Sequence, residues 1–139
     1  MFNYFKKEEK PAREHLDGFQ NNFTKEQKAA ILSSLVVSAM SEGDVHPEKL
    51  QIISQIEGIL HFRLSDPIFT KVVNGGMGET VRILNTLNKS QKEFLIMILH
   101  GVASKVENAL TFANYIGIFE EEYAQIILKG ELLMKKIIG

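Results

Sequence analysis

The chain of 139 residues contains no cysteine. That removes disulfides, thiolate metal sites and thiol catalysis, and it leaves the redox compartment open. An excess of charge is lacking too: 16 Lys and Arg stand against 17 Asp and Glu, a net charge of −1. No overall basic field draws such a chain to nucleic acid or anionic lipid. No apolar run approaches the roughly 18 residues of a membrane span, and no signal-peptide core follows the first residues. The expected location is therefore the cytoplasm. The four histidines, His15, His46, His61 and His100, form no i,i+4 pair. His-Glu-x-x-His is thus absent, and so is the Glu-x-x-His spacing of di-metal bundles.

What is present is ordinary soluble-domain composition, 45% apolar and 24% charged, with apolar residues at helical spacing. The length predicts one domain, with about two-thirds of the unfolded surface buried on folding. The organising stretch is Leu35–Leu50, LVVSAMSEGDVHPEKL, an apolar helix running through an acidic turn into a second helix. Thr24 and Gln27 form a capping-box pattern that starts the first helix. Ala29, Leu32, Leu35, Val36, Ala39 and Met40 fall three and four apart as one apolar stripe. Gly43 is the expected stop, since glycine takes the left-handed conformation that closes helices. Pro47 opens the second helix, and Glu48 lies in its first turn against the positive end of the dipole. Ile52, Ile53, Ile56, Ile59 and Leu60 form its apolar face, with Val45 plugging the corner.

The turn Ser41-Glu42-Gly43-Asp44-Val45-His46-Pro47-Glu48 resembles the acidic inter-helix turn of TerB-like domains, named for the tellurite-resistance protein TerB. A related domain occurs in a membrane-anchored DnaJ-type co-chaperone. The family pattern is roughly Ala-Asp-Gly-acid-Ile/Val-Ser/Asp-x-x-Glu after an Ala-rich helix. This chain keeps Gly43, Asp44, Val45 and Glu48, and departs at Glu42, His46 and Lys49. Downstream helical order extends the resemblance over residues 24–129. It implies a compact all-α bundle of six to seven helices with a pseudo-two-fold internal repeat; composition makes residues 1–23 a partly ordered arm before it. It also implies a divalent cation held by acids from both repeats. Glu42, Asp44 and Glu48 would supply one side. The second turn, Ser104-Lys105-Val106, offers Glu107 as its nearest acid.

The remaining chain reads as helices and their ends. The arm carries Phe2, Tyr4 and Phe5, then Lys6-Lys7-Glu8-Glu9-Lys10, with Phe19 and Phe23 following. These aromatics suit docking on the bundle better than a membrane anchor, being too few for an amphipathic helix. Asp66-Pro67 starts a short helix. Asn74-Gly75-Gly76-Met77-Gly78 reads as a linker; no predicted strand precedes it and no Lys-Ser/Thr follows, so it meets neither nucleotide fingerprint. Glu79–Leu87 is a further short helix. Ser90 with Glu93 predicts a second capping box opening Phe94–Val106, which is apolar on nearly all sides and so expected at the bundle's centre. His100 rides on it with nothing nearby in sequence to orient it. Glu107–Ile118 and a last helix from Glu120 complete the chain, Gly130 marking a kink or a close approach.

Glu42, Asp44 and Glu48 do not have the alternating spacing of an EF-hand, and calcium takes about six to eight oxygens. Calcium or magnesium is nonetheless the cofactor this turn would hold. The second helix is too poor in basic residues for DNA recognition. The reading that follows is a non-enzymatic, stress-related module that binds a protein partner or itself. The alternative is a divalent-metal switch at the acidic turn, and the third is a metal-dependent enzyme.

Overall fold

The computed structural model describes residues 23–40, 47–103 and 105–138, with side chains as far as residue 132. The chain is all-α, with seven helices and no strand among the described residues: α1 (Lys25–Ala39), α2 (Pro47–Leu60), α3 (Pro67–Asn74), α4 (Gly76–Leu84), α5 (Lys89–Val102), α6 (Val106–Tyr115) and α7 (Glu120–Ile138). No helix among the described residues is long and apolar enough to cross a membrane. Residues 1–22 of the arm lie outside the described residues, as do Gly43 and Val45. Phe23, the last residue of the expected arm, is buried, its ring 6.2 Å from that of Phe94.

α1 begins as its capping box predicts. The Gln27 N–H donates to Thr24 Oγ1 at 3.1 Å, and the Thr24 N–H donates back to Gln27 Oε1 at 2.9 Å. The same glutamine gives its Nε2 to Thr86 Oγ1 at 2.9 Å, tying the start of α1 to the turn after α4. The helix ends at Ala39 rather than near Gly43, with Met40 as its cap.

The middle of α1 carries no solvent face. Every residue from Ala29 to Leu35 is buried, serines included, and α1 packs against α2, α3, α4, α5 and α6. The expected single stripe was too narrow, and Met40, placed on it, is 47% exposed. Small side chains explain the difference: Ala29, Ala30, Ser33, Ser34 and Ser38 let neighbouring helices approach faces that a count of large apolar residues assigns to solvent. α1, not α5, is therefore the central helix. α5 buries Phe94, Leu95, Ile96, Leu99 and Val102 but leaves Met97 and Ile98 half-buried and Gly101 exposed.

Several further boundaries move from their expected places, among them the end of α4, at Leu84 rather than Leu87. α5 starts at a capping box formed by Asn88 and Gln91, each main-chain N–H bonded to the other's side chain at 2.9 Å. Glu93, expected as the reciprocal cap, instead meets Lys129 of α7 at 3.0 Å. The glycine stretch is a hinge of one residue: α3 ends at Asn74, Gly75 caps both helices, and α4 begins at Gly76, which takes φ +83°. A Cβ on Gly75 would lie 2.9 Å from Cβ of Glu79, so the hinge requires glycine. α6 ends at Tyr115, three residues before the expected Ile118. Gly130 serves close packing, because a Cβ there would come within 3.0 Å of Met97 Cγ.

The helix pairs α1–α2 and α5–α6 share their end chemistry. Each opens on a capping box. Each closes on two reversed bonds around a left-handed residue. At the end of α2, the Phe62 N–H reaches Glu57 O and the His61 N–H reaches Gly58 O, with His61 at φ 53°. At the end of α6, the Ile118 N–H reaches Ala113 O and the Gly117 N–H reaches Asn114 O, with Gly117 at φ 86°. Packing follows the same plan: α1 lies on α2 and α3, α5 on α6 and α7, while α2 crosses to α5 and α6 to α1.

The serines of α1 differ in one testable respect. Ser34 Oγ donates to Ile31 O at 2.7 Å, whereas Ser38 Oγ, on a residue only 1% exposed, has no partner among the described residues. An unbonded buried hydroxyl is destabilising relative to a methyl. Ser38→Ala should therefore raise the unfolding free energy by about 1 kcal/mol. Ser34→Ala should change it by less than about 0.5 kcal/mol. Urea titration of both variants checks this, and equal losses of stability would contradict it.

Candidate functional site

The acidic residues singled out in the sequence are only partly placed. Glu42 and Asp44 lie outside the described residues, as do His15 and His46. Glu48 and Glu107 are each the second residue of a helix, α2 and α6, and both are exposed. In those positions each carboxylate faces the positive end of a helix dipole. Among the described residues no group of three His, Asp or Glu side chains is placed to hold a metal. Beside Glu48, Lys49 is held by a contact invisible in the sequence: its Nζ donates to Gly101 O at 3.0 Å, fastening the start of α2 to the end of α5.

His100 does have an orienting partner, 23 residues away on α7. Its Nδ1 lies 2.8 Å from Tyr123 Oη, with the rings edge-to-face at 5.8 Å. Burial pushes the Tyr123 phenol above its ordinary value, so the neutral hydroxyl is favoured. That hydroxyl can donate to Nδ1, leaving the proton of a neutral imidazole on Nε2. On the outer face of α4, Glu79 and Arg82 pair one turn apart, and this hydrogen bond holds the Glu79 carboxyl below its usual range.

Two open clefts occupy matching places in the frame. Each lies where the first turn of a long helix meets the closing corner of the next. The first, about 410 Å³, is lined by Lys25, Lys28, His61, Arg63, Ser65 and Asp66. The second, about 240 Å³, is lined by Lys89, Lys92, Glu93, Gly117 and Glu122. Lys92 Nζ donates to Ile116 O at 3.3 Å, engaging the C-terminal carbonyls of α6. Ser65, His61 and Asp66 share the first cleft, yet no hydrogen bond joins them. Oδ1 of Asp66 instead accepts the Ile68 N–H at 2.9 Å and caps α3. His100 lines neither cleft.

The His100–Tyr123 pair carries a pH signature. A phenol whose folded pKa is raised contributes stability that is complete below the unfolded value of about 10 and is lost as pH rises through the folded value. The wild-type melting temperature should therefore fall more steeply above about pH 10 than that of Tyr123→Phe. At neutral pH the variant should be about 0.5–1.5 kcal/mol less stable through loss of the hydrogen bond. Parallel pH profiles of melting for the two proteins would contradict this.

Comparison of the chain with protein-family models, with curated proteins and with solved structures finds no match.

Proposed function

We propose that this chain is a non-enzymatic helical module of TerB-like plan that acts by binding a protein surface, with self-association as the simplest form. The observation that carries the reading is on α7. Leu128 and Leu132, one turn apart, are 59% and 55% exposed. Helical residues four apart lie on one face, so the pair forms an apolar strip of the kind that docks in a partner's groove. Ala124, one turn before Leu128, is exposed on the same side. Large apolar side chains grouped on one helix face mark interaction surfaces more often than isolated ones do.

The paired helix ends and the crossed packing of α2 on α5 and α6 on α1 support the two-fold internal plan that the TerB resemblance implies. A stress-related role in the cytoplasm follows from that resemblance alone. Binding rather than catalysis is supported by two placements among the described residues: the His100–Tyr123 pair lies outside both clefts, and Ser65, His61 and Asp66 of the first cleft are not joined.

Sedimentation equilibrium tests the reading. The wild-type protein should associate at concentrations on the order of 100 μM, and Leu128→Glu/Leu132→Glu should be monomeric with the melting temperature of dilute, unassociated wild type, since neither side chain is in the core. A wild-type protein that stays monomeric, or a variant that associates equally, would contradict self-association through α7.

A further inference from the structure

The two clefts have one frame and different charge, and the difference points to a ligand. In the second cleft, Lys89 and Lys92 face Glu93 and Glu122, and Glu93 is itself paired with Lys129. In the first, Lys25, Lys28 and Arg63 face a single carboxylate, Asp66, which is already bonded to the Ile68 N–H. The side chains of Lys25, Lys28, His61 and Arg63 make no hydrogen bond or ion pair among the described residues. This local excess stands in a chain whose net charge is −1.

The frame does not demand that excess. Aligned on their left-handed residues, the corners place His61 against Gly117, Phe62 against Ile118, Arg63 against Phe119 and Asp66 against Glu122. Phe62 and Ile118 are both buried, and Asp66 and Glu122 each line their cleft. The frame is thus met on both sides, and His61 and Arg63 are additions to it. Glycine is the ordinary occupant of a left-handed closing position, so the imidazole is held at the cleft at some expense in backbone freedom.

We propose that the cleft lined by Lys25, Lys28, His61, Arg63 and Ser65 binds a small, multiply charged phosphoanion. A guanidinium presents two parallel N–H donors to phosphate oxygens, and lysine ammoniums add point charges around them. The Ser65 hydroxyl and an imidazole N–H of His61 are further donors. Three cations around a concave space of about 410 Å³ suit a compact ligand of the diphosphate class. A nucleic-acid backbone would instead be followed by an extended basic stripe rather than a single cleft. The inference is independent of partner binding through α7, which lies on other residues.

The test is calorimetric titration with inorganic pyrophosphate at neutral pH. Wild type should bind. Lys28→Gln/Arg63→Gln should weaken binding by at least about tenfold, the loss expected from two charge-assisted contacts. Lys89→Gln/Lys92→Gln, in the sister cleft, should leave it within about twofold. His61→Gly guards against misfolding as an explanation: it should melt higher than wild type, because glycine suits the corner, yet bind pyrophosphate more weakly. Absence of binding by wild type, equal losses in the two clefts, or a His61→Gly variant that binds as wild type would each overturn the proposal. Binding seen only with vesicles of anionic phospholipid, and not with pyrophosphate, would overturn it as well.

Discussion

A helix can be enclosed on every side only if its neighbours are able to come close to it, and that condition governs this fold. α1 meets it with alanine and serine. Between Ala29 and Leu35 the large side chains Ile31, Leu32 and Leu35 alternate with residues no larger than serine, and all are buried. The backbone bonds of such a helix are satisfied internally, so burial leaves only its ends and its hydroxyls to be partnered. The Thr24–Gln27 box closes the first end, and Ser34 finds the Ile31 carbonyl. Five helices arrayed around α1 then fix where the rest of the chain runs. α5 acts as a second axis, carrying α6 and α7 and receiving α2.

From this arrangement the clefts follow without further design. A long helix that starts beside the closing corner of the next one leaves an open space between them, and it does so twice. In the second cleft a basic residue at the first turn of α5, Lys92, reaches the Ile116 carbonyl at the corner. Such a contact is stabilising in its own right, since cations suit helix C-termini. Function can be added by altering the few residues that the frame leaves free, and His61 and Arg63 stand at such positions. The apolar strip of α7 is a separate addition on the outside of the bundle.

Much of the fold was legible in the sequence because it rests on local chemistry. Thr24 with Gln27, Pro47, Asp66-Pro67 and the acids at Glu120 each mark a helix start that the structure contains. Misreadings arose where two local signals overlapped or where tertiary contact decided. Ser90 and Glu93 match the same capping pattern as Asn88 and Gln91, and the earlier pair prevails because Glu93 is drawn to Lys129. The central helix was misplaced because serine counts as polar in any periodicity, whatever surrounds it. The site was less legible still. The His100–Tyr123 pair spans two helices, and the first cleft joins residues from 25 to 66, separations over which sequence pattern carries no signal. Left-handed geometry at His61 could not be read at all, since nothing in its neighbours distinguishes it from a helical residue.

The account depends on α1 being the enclosed centre of the bundle, and native-state hydrogen exchange measures that directly. Amides of Ala29–Leu35 should exchange only through global unfolding, with opening free energies equal to that from denaturant titration and at least as high as any in α5. Exchange of the α1 amides through a lower-energy opening, while Phe94–Leu99 of α5 remain protected to the global limit, would contradict it.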